Sequence, residues 1–302
     1  MTLLPSDSFS AADTQEFYRN AKLTLQKLDE ATEGLDVHWP IGCFNRPWID
    51  KKSWSYDVAL DGIKAAGYKL TGMLTRSAKE PLIGSDATPE YLVALKQKIA
   101  AHGLKLNMGA LRTKNDLPLD DQIKDVRQQI DNGKTVGVEY LLTFGVNDAA
   151  HLANYYKLMK DAAGYAHDGG LKLVLKPHGG ESGGAEEIIR ALEQVNHPNF
   201  KIWFDAGNII FYTGRDPVEQ LKLIAKHVTG FCAKDCEKQK GSVWLEFGTG
   251  KVDFPAVFGE LKKVGFNGPV MVECCAPGDT QEIVTANARK NREYLEKVFA
   301  AL

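Results

Sequence analysis

Long apolar runs, cysteine clusters and charge of one sign are all scarce in this chain of 302 residues. No run approaches the roughly 18 apolar residues that span a bilayer, so we expect no membrane partner. Lys and Arg number 37 against 39 Asp and Glu, without a basic stripe, which argues against a nucleic-acid partner. Five cysteines do not make a disulfide framework, and the start lacks the basic-then-apolar pattern of a signal peptide. We therefore expect a cytoplasmic protein.

The sequence also lacks a G-x-G-x-x-G turn after its first predicted strand, which weakens a dinucleotide-binding interpretation. What it has instead is a regular alternation of short apolar segments and amphipathic segments such as "SYDVALDGIKAAG". Near-continuous apolar segments are typical of parallel strands covered on both faces. The predicted strands are 37–43, 69–74, 105–110, 140–144, 172–175, 201–204, 228–233 and 269–272. Five of them follow a helix-ending glycine, at Gly67, Gly103, Gly137, Gly169 and Gly265.

Eight strands that alternate with helices predict an α/β protein with a single (β/α)₈ TIM barrel. We place the barrel over residues 37–302 and an N-terminal helical extension over residues 1–36, with its helix at about 11–33. No low-complexity linker or break in composition suggests a second domain. A doubly wound open sheet is the alternative fold.

Catalytic groups of TIM barrels lie at the carboxyl ends of the strands, so the polar residues there are the candidates. Asp205 and Glu273 each end an apolar strand, where a carboxylate is costly to desolvate unless it is paired. Both therefore need a partner. The other candidates at strand ends are Asn45, Arg46, Trp48, Thr75, Arg76, Arg112, Thr143, Lys176, His178, Asn208, Cys232, Lys234 and Asp235.

Three stretches of the second half resemble the xylose-isomerase-like sugar phosphate isomerase/epimerase superfamily. "WFDAGN", residues 203–208, is similar to its strand-six motif, and "CAKD", residues 232–235, to its strand-seven H-x-K-D. "GTGKVDFPAVFGELKKVGFNGPVMVE", residues 248–273, is similar to the stretch that ends at the last metal-binding Glu of that family. The resemblance implies a barrel enzyme that acts on a sugar.

The resemblance also implies a divalent ion bound by Glu, Asp, His and Glu on strands five to eight. At those positions this chain has Lys176, Asp205, Cys232 and Glu273, so two of the four ligands match. An ammonium cannot ligate a metal, and a thiol suits softer ions than Mn²⁺ or Mg²⁺. The expected cofactor is therefore either none or a divalent ion (Mn, Mg or Zn) held by Asp205, Glu273 and His178.

Our hypothesis is that the Lys176 ammonium lies between Asp205 and Glu273 and takes the charge role of the missing ion. A Schiff base from Lys176 to a keto sugar is the less favoured route, since two carboxylates would raise the pKa of the lysine. His178 and Glu273 are the candidate general bases. The catalytic set is thus Lys176, His178, Asp205 and Glu273.

The predicted substrate-binding set is Arg46, Trp48, Arg112, Asn208 and Lys234. For some of these a structural role stays open: Arg46 and Trp48 could pack the barrel rim, and Asn208 could cap the next helix. Two further residues, Trp244 and Glu246, could cover the site.

The expected reaction removes a proton beside a carbonyl of a sugar or keto sugar through an enediolate, as in an isomerase or epimerase. A lyase or dehydratase that eliminates from the same enolate, on a keto sugar or keto-glycoside, is the first alternative. A catalytically inactive sugar-binding barrel is the second. In each case a small carbohydrate is the expected partner, and a homo-oligomer stays open.

Overall fold

A computed structural model of the chain describes residues 38–50, 54–77 and 80–302. The predicted helix at 11–33, the extension over 1–36 and the first residue of the first predicted strand lie outside these ranges. Within them, no helix is both long and apolar enough to cross a membrane.

Eight parallel strands form one closed sheet in which each strand pairs with its neighbours in chain order. The sheet closes because β1 pairs with β8 as well as with β2, with Ile41 opposite Val270 and Cys43 opposite Val272. This closure confirms the TIM barrel and excludes the open doubly wound sheet. The strands are β1 (Ile41–Phe44), β2 (Leu70–Met73), β3 (Lys105–Ala110), β4 (Tyr140–Thr143), β5 (Lys172–Leu175), β6 (Phe200–Phe204), β7 (Val228–Ala233) and β8 (Val270–Val272).

Helices connect consecutive strands and cover the outside of the barrel. The α-helices are α1 (Arg46–Ile49), α2 (Tyr56–Ala65), α3 (Pro89–Ala101), α4 (Leu119–Val136), α5 (Leu152–Asp168), α6 (Ala185–Val195), α7 (Ala206–Asn208), α8 (Pro217–Ile224), α9 (Phe254–Lys263) and α10 (Gln281–Ala300). Short 3₁₀ turns cover Ala149–His151, Gly180–Ser182 and Ala225–His227, and one π-helical turn covers Ile209–Thr213.

The ends of the helices follow the local chemistry of the chain. Thr88 and Thr280 begin α3 and α10 by accepting a hydrogen bond from a backbone N–H of the first turn. Four of the five predicted helix-ending glycines have positive φ, which favours glycine. Gly169 also ends its helix, α5, but its φ is −79° and the following Gly170 takes the left-handed conformation.

The inside of the barrel is filled by side chains that alternate in size. A Cβ on Gly72 would lie 2.5 Å from the Phe44 ring, and one on Gly230 would lie 2.7 Å from the Trp203 ring. Glycine on these strands therefore makes room for a large neighbour, as close packing requires. We call the upper buried level the inner layer; it has one residue from each strand or from the position just after it: Phe44, Leu74, Ala110, Leu142, Val174, Trp203, Cys232 and Met271.

Candidate active site

A ring of mostly charged residues lies directly above the inner layer. Successive side chains of a strand point to opposite faces, so the residue two positions beyond each inner-layer residue returns to the inside of the barrel. We call these eight positions the strand-end ring; they are Arg46, Arg76, Arg112, Phe144, Lys176, Asp205, Lys234 and Glu273. The ring has five cationic and two acidic side chains, so its formal charge is positive.

Four members of the ring form a buried ionic cluster. The Lys176 Nζ contacts Glu273 Oε2 and lies 3.2 Å from Asp205 Oδ2. The Lys234 Nζ lies 3.1 Å from Asp205 Oδ2 and 2.9 Å from Glu273 Oε1. None of the four side chains is more than 3% exposed. Each carboxylate therefore has two ammonium partners, which offset the cost of removing it from water.

Arg46 adds a fifth charge on the open side of this cluster. Its Nη1 donates to Glu273 Oε1 at 2.5 Å, and its Nε lies 3.8 Å from the Asp50 carboxylate at the other end of α1. Its guanidinium also lies 5.2 Å from the centre of the Trp244 ring. The predicted cover residue Trp244 thus packs against Arg46, whereas the carboxylate of Glu246 pairs with Lys290.

The ionic cluster keeps Glu273 and Lys176 charged. Burial alone would raise the pKa of Glu273, but Lys176, Lys234 and Arg46 outweigh it and hold that pKa well below the ordinary value. Burial alone would lower the pKa of Lys176, yet the nearby Glu273 raises it above the ordinary lysine value. A Schiff-base lysine needs the opposite shift, so the cluster disfavours covalent catalysis by Lys176.

His178 lies beside the cluster between two aromatic rings. Its ring centre is 5.1 Å from that of Phe144 and 5.0 Å from that of Tyr212, and the Tyr212 hydroxyl lies 3.2 Å from its Nε2. Burial, followed by the charges of Lys176 and Lys234, lowers the pKa of His178 to about 3. The imidazole is therefore neutral at physiological pH.

A cavity of about 340 Å³ opens above the cluster. Its lining residues are Arg46, Asp50, Leu74, Thr75, Arg76, Arg112, Phe144, Lys176, His178 and Glu273. Asp205 and Lys234 lie beneath them and are almost fully buried. A ligand in this cavity would thus meet Lys176, Glu273 and His178 directly, and Asp205 and Lys234 only through the cluster.

A larger cavity of about 730 Å³ lies at the opposite end of the barrel, beside His38 and Pro40. Its charged lining residues Lys69, Arg292 and Glu296 come from the outer helix α10 and from the start of β2. The buried acids and lysines lie at the smaller cavity, so we place the active site there despite its size.

Three predicted substrate-binding residues do not line the cavity: Lys234, which lies beneath it, and Trp48 and Asn208. Trp48 is fully buried in α1, where a Cβ on Gly62 of α2 would lie 2.3 Å from its Nε1. It packs helices together, which is the alternative role kept open for it. Asn208 donates from Nδ2 to the Pro177 carbonyl at 2.5 Å, while its backbone N–H donates to Asp205 Oδ1. It therefore joins the loops after β5 and β6.

Sequence reasoning missed two aromatic residues that contact His178. Phe144 is the strand-end ring position of β4, which strict alternation from Leu142 could have identified. Tyr212 lies on the π-helical turn after α7, an insertion that hydropathy does not reveal. Asp50 was also missed, because the sequence does not show that α1 turns its end toward the cavity.

Asp235 has a different environment from the other acids, although it follows Lys234 in the chain. Its carboxylate is fully buried and accepts four backbone hydrogen bonds. The donors are the N–H groups of Cys236 (2.8 Å), Gly248 (3.0 Å), Gly250 (2.8 Å) and Val252 (3.1 Å). The glycine-rich loop after β7 is therefore folded around a carboxylate of the chain itself.

The residues at the implied metal positions do not fit Mg²⁺ or Mn²⁺. One oxygen or sulfur each of Asp205, Cys232 and Glu273 lies within 4.8 Å of the others. The same two carboxylates contact the Lys176 and Lys234 ammonium groups, and burial raises the pKa of the Cys232 thiol. Mg²⁺ and Mn²⁺ prefer oxygen ligands without a competing cation. Among the described residues, His178 is not part of this group.

Comparison with known proteins places this geometry in a wider context. An L-ribulose-5-phosphate 3-epimerase from Salmonella heidelberg is 24% identical over 286 residues, which cover 88% of this chain and 97% of that protein. The structure of a D-psicose 3-epimerase from Clostridium cellulolyticum superposes with a TM-score of 0.71 at 13% identity and covers 86% of this chain and 99% of that one.

A second similar structure is that of a xylose isomerase-like TIM barrel protein from Mycobacterium smegmatis, solved in complex with magnesium. Its TM-score is 0.68 at 16% identity, and the match covers 87% of this chain and 97% of that one. A family model described as "Xylose isomerase-like TIM barrel" matches residues 60–298. The resemblance of the three sequence stretches is thereby confirmed, and the chain belongs to the xylose isomerase-like TIM barrel family.

Proposed function

We propose that this chain is a sugar isomerase or epimerase that moves a proton beside a carbonyl, with the Lys176 ammonium in place of a divalent ion. The observation that carries the proposal is the contact of Lys176 with both Asp205 and Glu273 at the floor of the cavity. Epimerases among the relatives and similar structures support the class of reaction.

In the proposed reaction, Glu273 removes a proton from the carbon next to the substrate carbonyl. The electron pair of that C–H bond moves toward the carbonyl oxygen and gives an enediolate. The Lys176 ammonium stabilises the new negative charge, by about 4 kcal/mol at 4 Å and an effective dielectric constant near 20, before desolvation. Return of a proton to the same carbon from the other face gives the epimer, and to the neighbouring carbon gives the isomer.

Substrate binding would make Glu273 a better base. In the ligand-free protein the pKa of Glu273 is well below its ordinary value because Lys176, Lys234 and Arg46 stabilise the carboxylate, against the opposing effect of burial. A substrate oxygen that draws Lys176 or Arg46 toward itself weakens this stabilisation and raises that pKa. Neutral His178, on the cavity wall, would donate to or accept from a substrate hydroxyl.

The proposal needs no divalent ion, since the two ammonium groups already supply positive charge at the two carboxylates. Asp205 and Lys234 would act as positioning residues, because they touch the cavity residues and not the cavity. The lyase or dehydratase alternative gains no support from the L-ribulose-5-phosphate 3-epimerase and the D-psicose 3-epimerase named above. A silent binding barrel is disfavoured because buried charges cost more than apolar replacements.

Exchange of a substrate proton with solvent tests the proposal. Ketoses and ketose phosphates would be incubated in deuterated water with the wild type, Lys176→Met and Lys172→Met, and the exchange followed by NMR. We expect exchange with the wild type and a loss of about a thousandfold in Lys176→Met, which matches a barrier increase of about 4 kcal/mol. Lys172 is exposed at the start of the same strand and pairs with Glu139, so its variant is the matched control.

Metal dependence is tested in the same assay. We expect the wild-type rate to be unchanged after treatment with a chelator and after addition of Mn²⁺. Unchanged exchange in Lys176→Met, or a wild-type rate that a chelator abolishes and Mn²⁺ restores, contradicts the proposal. Binding of a ketose without any exchange would favour the silent barrel, and elimination products would favour the lyase.

A further inference from the structure

The cavity contains more positive than negative side chains. Arg46, Arg76, Arg112 and Lys176 line it, whereas only Asp50 and Glu273 are acidic, and His178 is neutral at physiological pH. A concave site with excess charge attracts ligands of the opposite charge. The formal excess of two positive charges points to an anionic ligand.

Arg112 is the cation of the cavity wall without an acidic partner. Its Nη2 donates to the Leu74 carbonyl at 2.7 Å, and its guanidinium lies 4.4 Å from the centre of the Phe144 ring. No carboxylate of the described residues lies within ion-pair distance of it, whereas Arg46 pairs with Glu273 and Arg76 pairs with Asp86. The carbonyl and the ring hold the guanidinium in place and leave its charge uncompensated.

At one usual anion-binding position of TIM barrels, the loop after β7, a carboxylate of the chain itself is already bound. Phosphate groups often bind at the loops that follow strands seven and eight. Here the Asp235 carboxylate accepts the N–H groups of Gly248 and Gly250 in the loop after β7. A Cβ on Gly250 would lie only 2.2 Å from Asp235 Oδ1, so this loop is closed tightly around its internal anion.

We infer that the cavity has an anion subsite on the side of strands one to three, with Arg112 as its central cation and Arg46 and Arg76 beside it. The substrate would then be a ketose that carries a phosphate or a carboxylate. This deepens the proposed function and rests on it for the sugar part of the ligand. Arginine suits both groups because its planar fork pairs with two oxygens at once.

Binding measurements test the subsite separately from catalysis. Isothermal titration would compare D-ribulose 5-phosphate, 2-keto-D-gluconate and uncharged D-ribulose on the wild type, Arg112→Gln and Arg215→Gln. Arg215 lines a different cavity with Lys238 and Lys251 and has an exposed side chain, so its variant is the matched loss of one arginine.

We expect the wild type to bind at least one of the two anionic ketoses tenfold or more tightly than D-ribulose. Arg112→Gln should lose that tenfold preference, and Arg215→Gln should bind like the wild type. The preferred anionic ketose identifies the group as phosphate or carboxylate. Raising the salt concentration should weaken only the anionic ligands.

Three results would overturn the inference: no preference for anionic ketoses, a preference that survives in Arg112→Gln, or a preference lost only in Arg215→Gln. These results are distinct from failure of the proposed reaction. If anionic ketoses bind tightly through Arg112 but no proton is exchanged, the subsite is supported and the proposed reaction is contradicted. If uncharged ketoses exchange their proton and anionic ketoses are not preferred, the reaction is supported and the subsite is contradicted.

Discussion

Two sets of buried carboxylates lie side by side in this barrel and are compensated in opposite ways. Asp235 accepts four backbone N–H groups of its own loop, whereas Asp205 and Glu273 share two lysine ammonium groups beneath a cavity. The first arrangement consists of fixed dipoles in the main chain. The second consists of mobile charges on flexible side chains, one of which faces the ligand.

The difference separates a structural acid from a reactive one. Backbone donors cannot leave Asp235 without unfolding the loop, so its hydrogen bonds stay the same whatever binds nearby. The ammonium group of Lys176 can be shared with a ligand, so the state of Glu273 responds to what enters the cavity. Burial alone does not identify a functional acid, but the kind of partner does.

The largest effect is expected at the structural acid. Asp235→Ala leaves four backbone N–H donors without their acceptor, two of them buried, and we expect the free energy of unfolding to fall by about 4 kcal/mol. Urea denaturation would measure it, with Asp116→Ala at an exposed loop position as the control, expected within about 0.5 kcal/mol of the wild type. A small loss in Asp235→Ala would show that the loop does not depend on this carboxylate.

A smaller effect that a ligand can reverse is expected at the reactive acid. Glu273→Gln leaves Lys176, Lys234 and Arg46 around a neutral amide, and we expect a loss of about 3 kcal/mol in stability. Inorganic phosphate should restore part of the lost stability by binding the cations that Glu273 no longer neutralises. It should not restore the stability of Asp235→Ala. Glu186→Gln, on the exposed face of α6, is the control.

If phosphate restored the stability of both variants equally, or of neither, the distinction between the structural acid and the reactive acid would be contradicted. Thermal unfolding with and without phosphate is sufficient to decide, since a ligand that binds only the folded state raises the melting temperature, and does so more the more tightly it binds.

The smallest effect concerns pH. Because the pKa of His178 is lowered to about 3, chiefly by burial, the unfolded chain takes up a proton at this residue below about pH 6.5 and the folded chain does not. The His178 contribution to stability is therefore complete above pH 6.5 and decreases as the pH falls toward 3. We expect His178→Gln to reduce the slope of unfolding free energy between pH 4 and 6 by about 1 kcal/mol per pH unit.

Folding favours the charged form of Glu273 and the neutral form of His178. Both residues nevertheless contribute more stability as the pH rises. The folded-state pKa of Glu273 lies well below the ordinary value because of its cationic partners, against burial, so its contribution is present above about pH 4.5 and is lost in more acidic solution. Denaturation curves above pH 5 thus report on His178 alone of the two. Parallel curves for the wild type and His178→Gln would contradict the assignment.

Sequence reasoning found the barrel and most of its strand-end ring because both depend on simple periodicity. The strands are apolar and end in polar residues, so Arg46, Lys176, Asp205, Lys234 and Glu273 could be identified without coordinates. The contacts of Lys176 could be argued from the sequence, since two buried carboxylates at strand ends of the same barrel need a cation. The family resemblance then indicated which class of barrel it is.

Sequence reasoning could not foresee the contacts at positions where side-chain packing, not periodicity, decides the outcome. Trp48 lies only two residues beyond the ring position of β1, yet α1 turns it into the helix layer against Gly62. Asn208 uses its amide on the Pro177 carbonyl, and no local pattern reveals that distant acceptor. Tyr212 reaches His178 because of a π-helical turn, which adds one residue to a helix and changes the direction of the side chains.

The inner layer has one more consequence. Phe44, Trp203 and Met271 fill the barrel directly below the ring, and the glycines opposite them leave no gap. A ligand therefore has no route through the barrel and must leave by the opening through which it entered. Product release and binding of the next substrate would therefore compete for one opening, which is lined by arginine side chains.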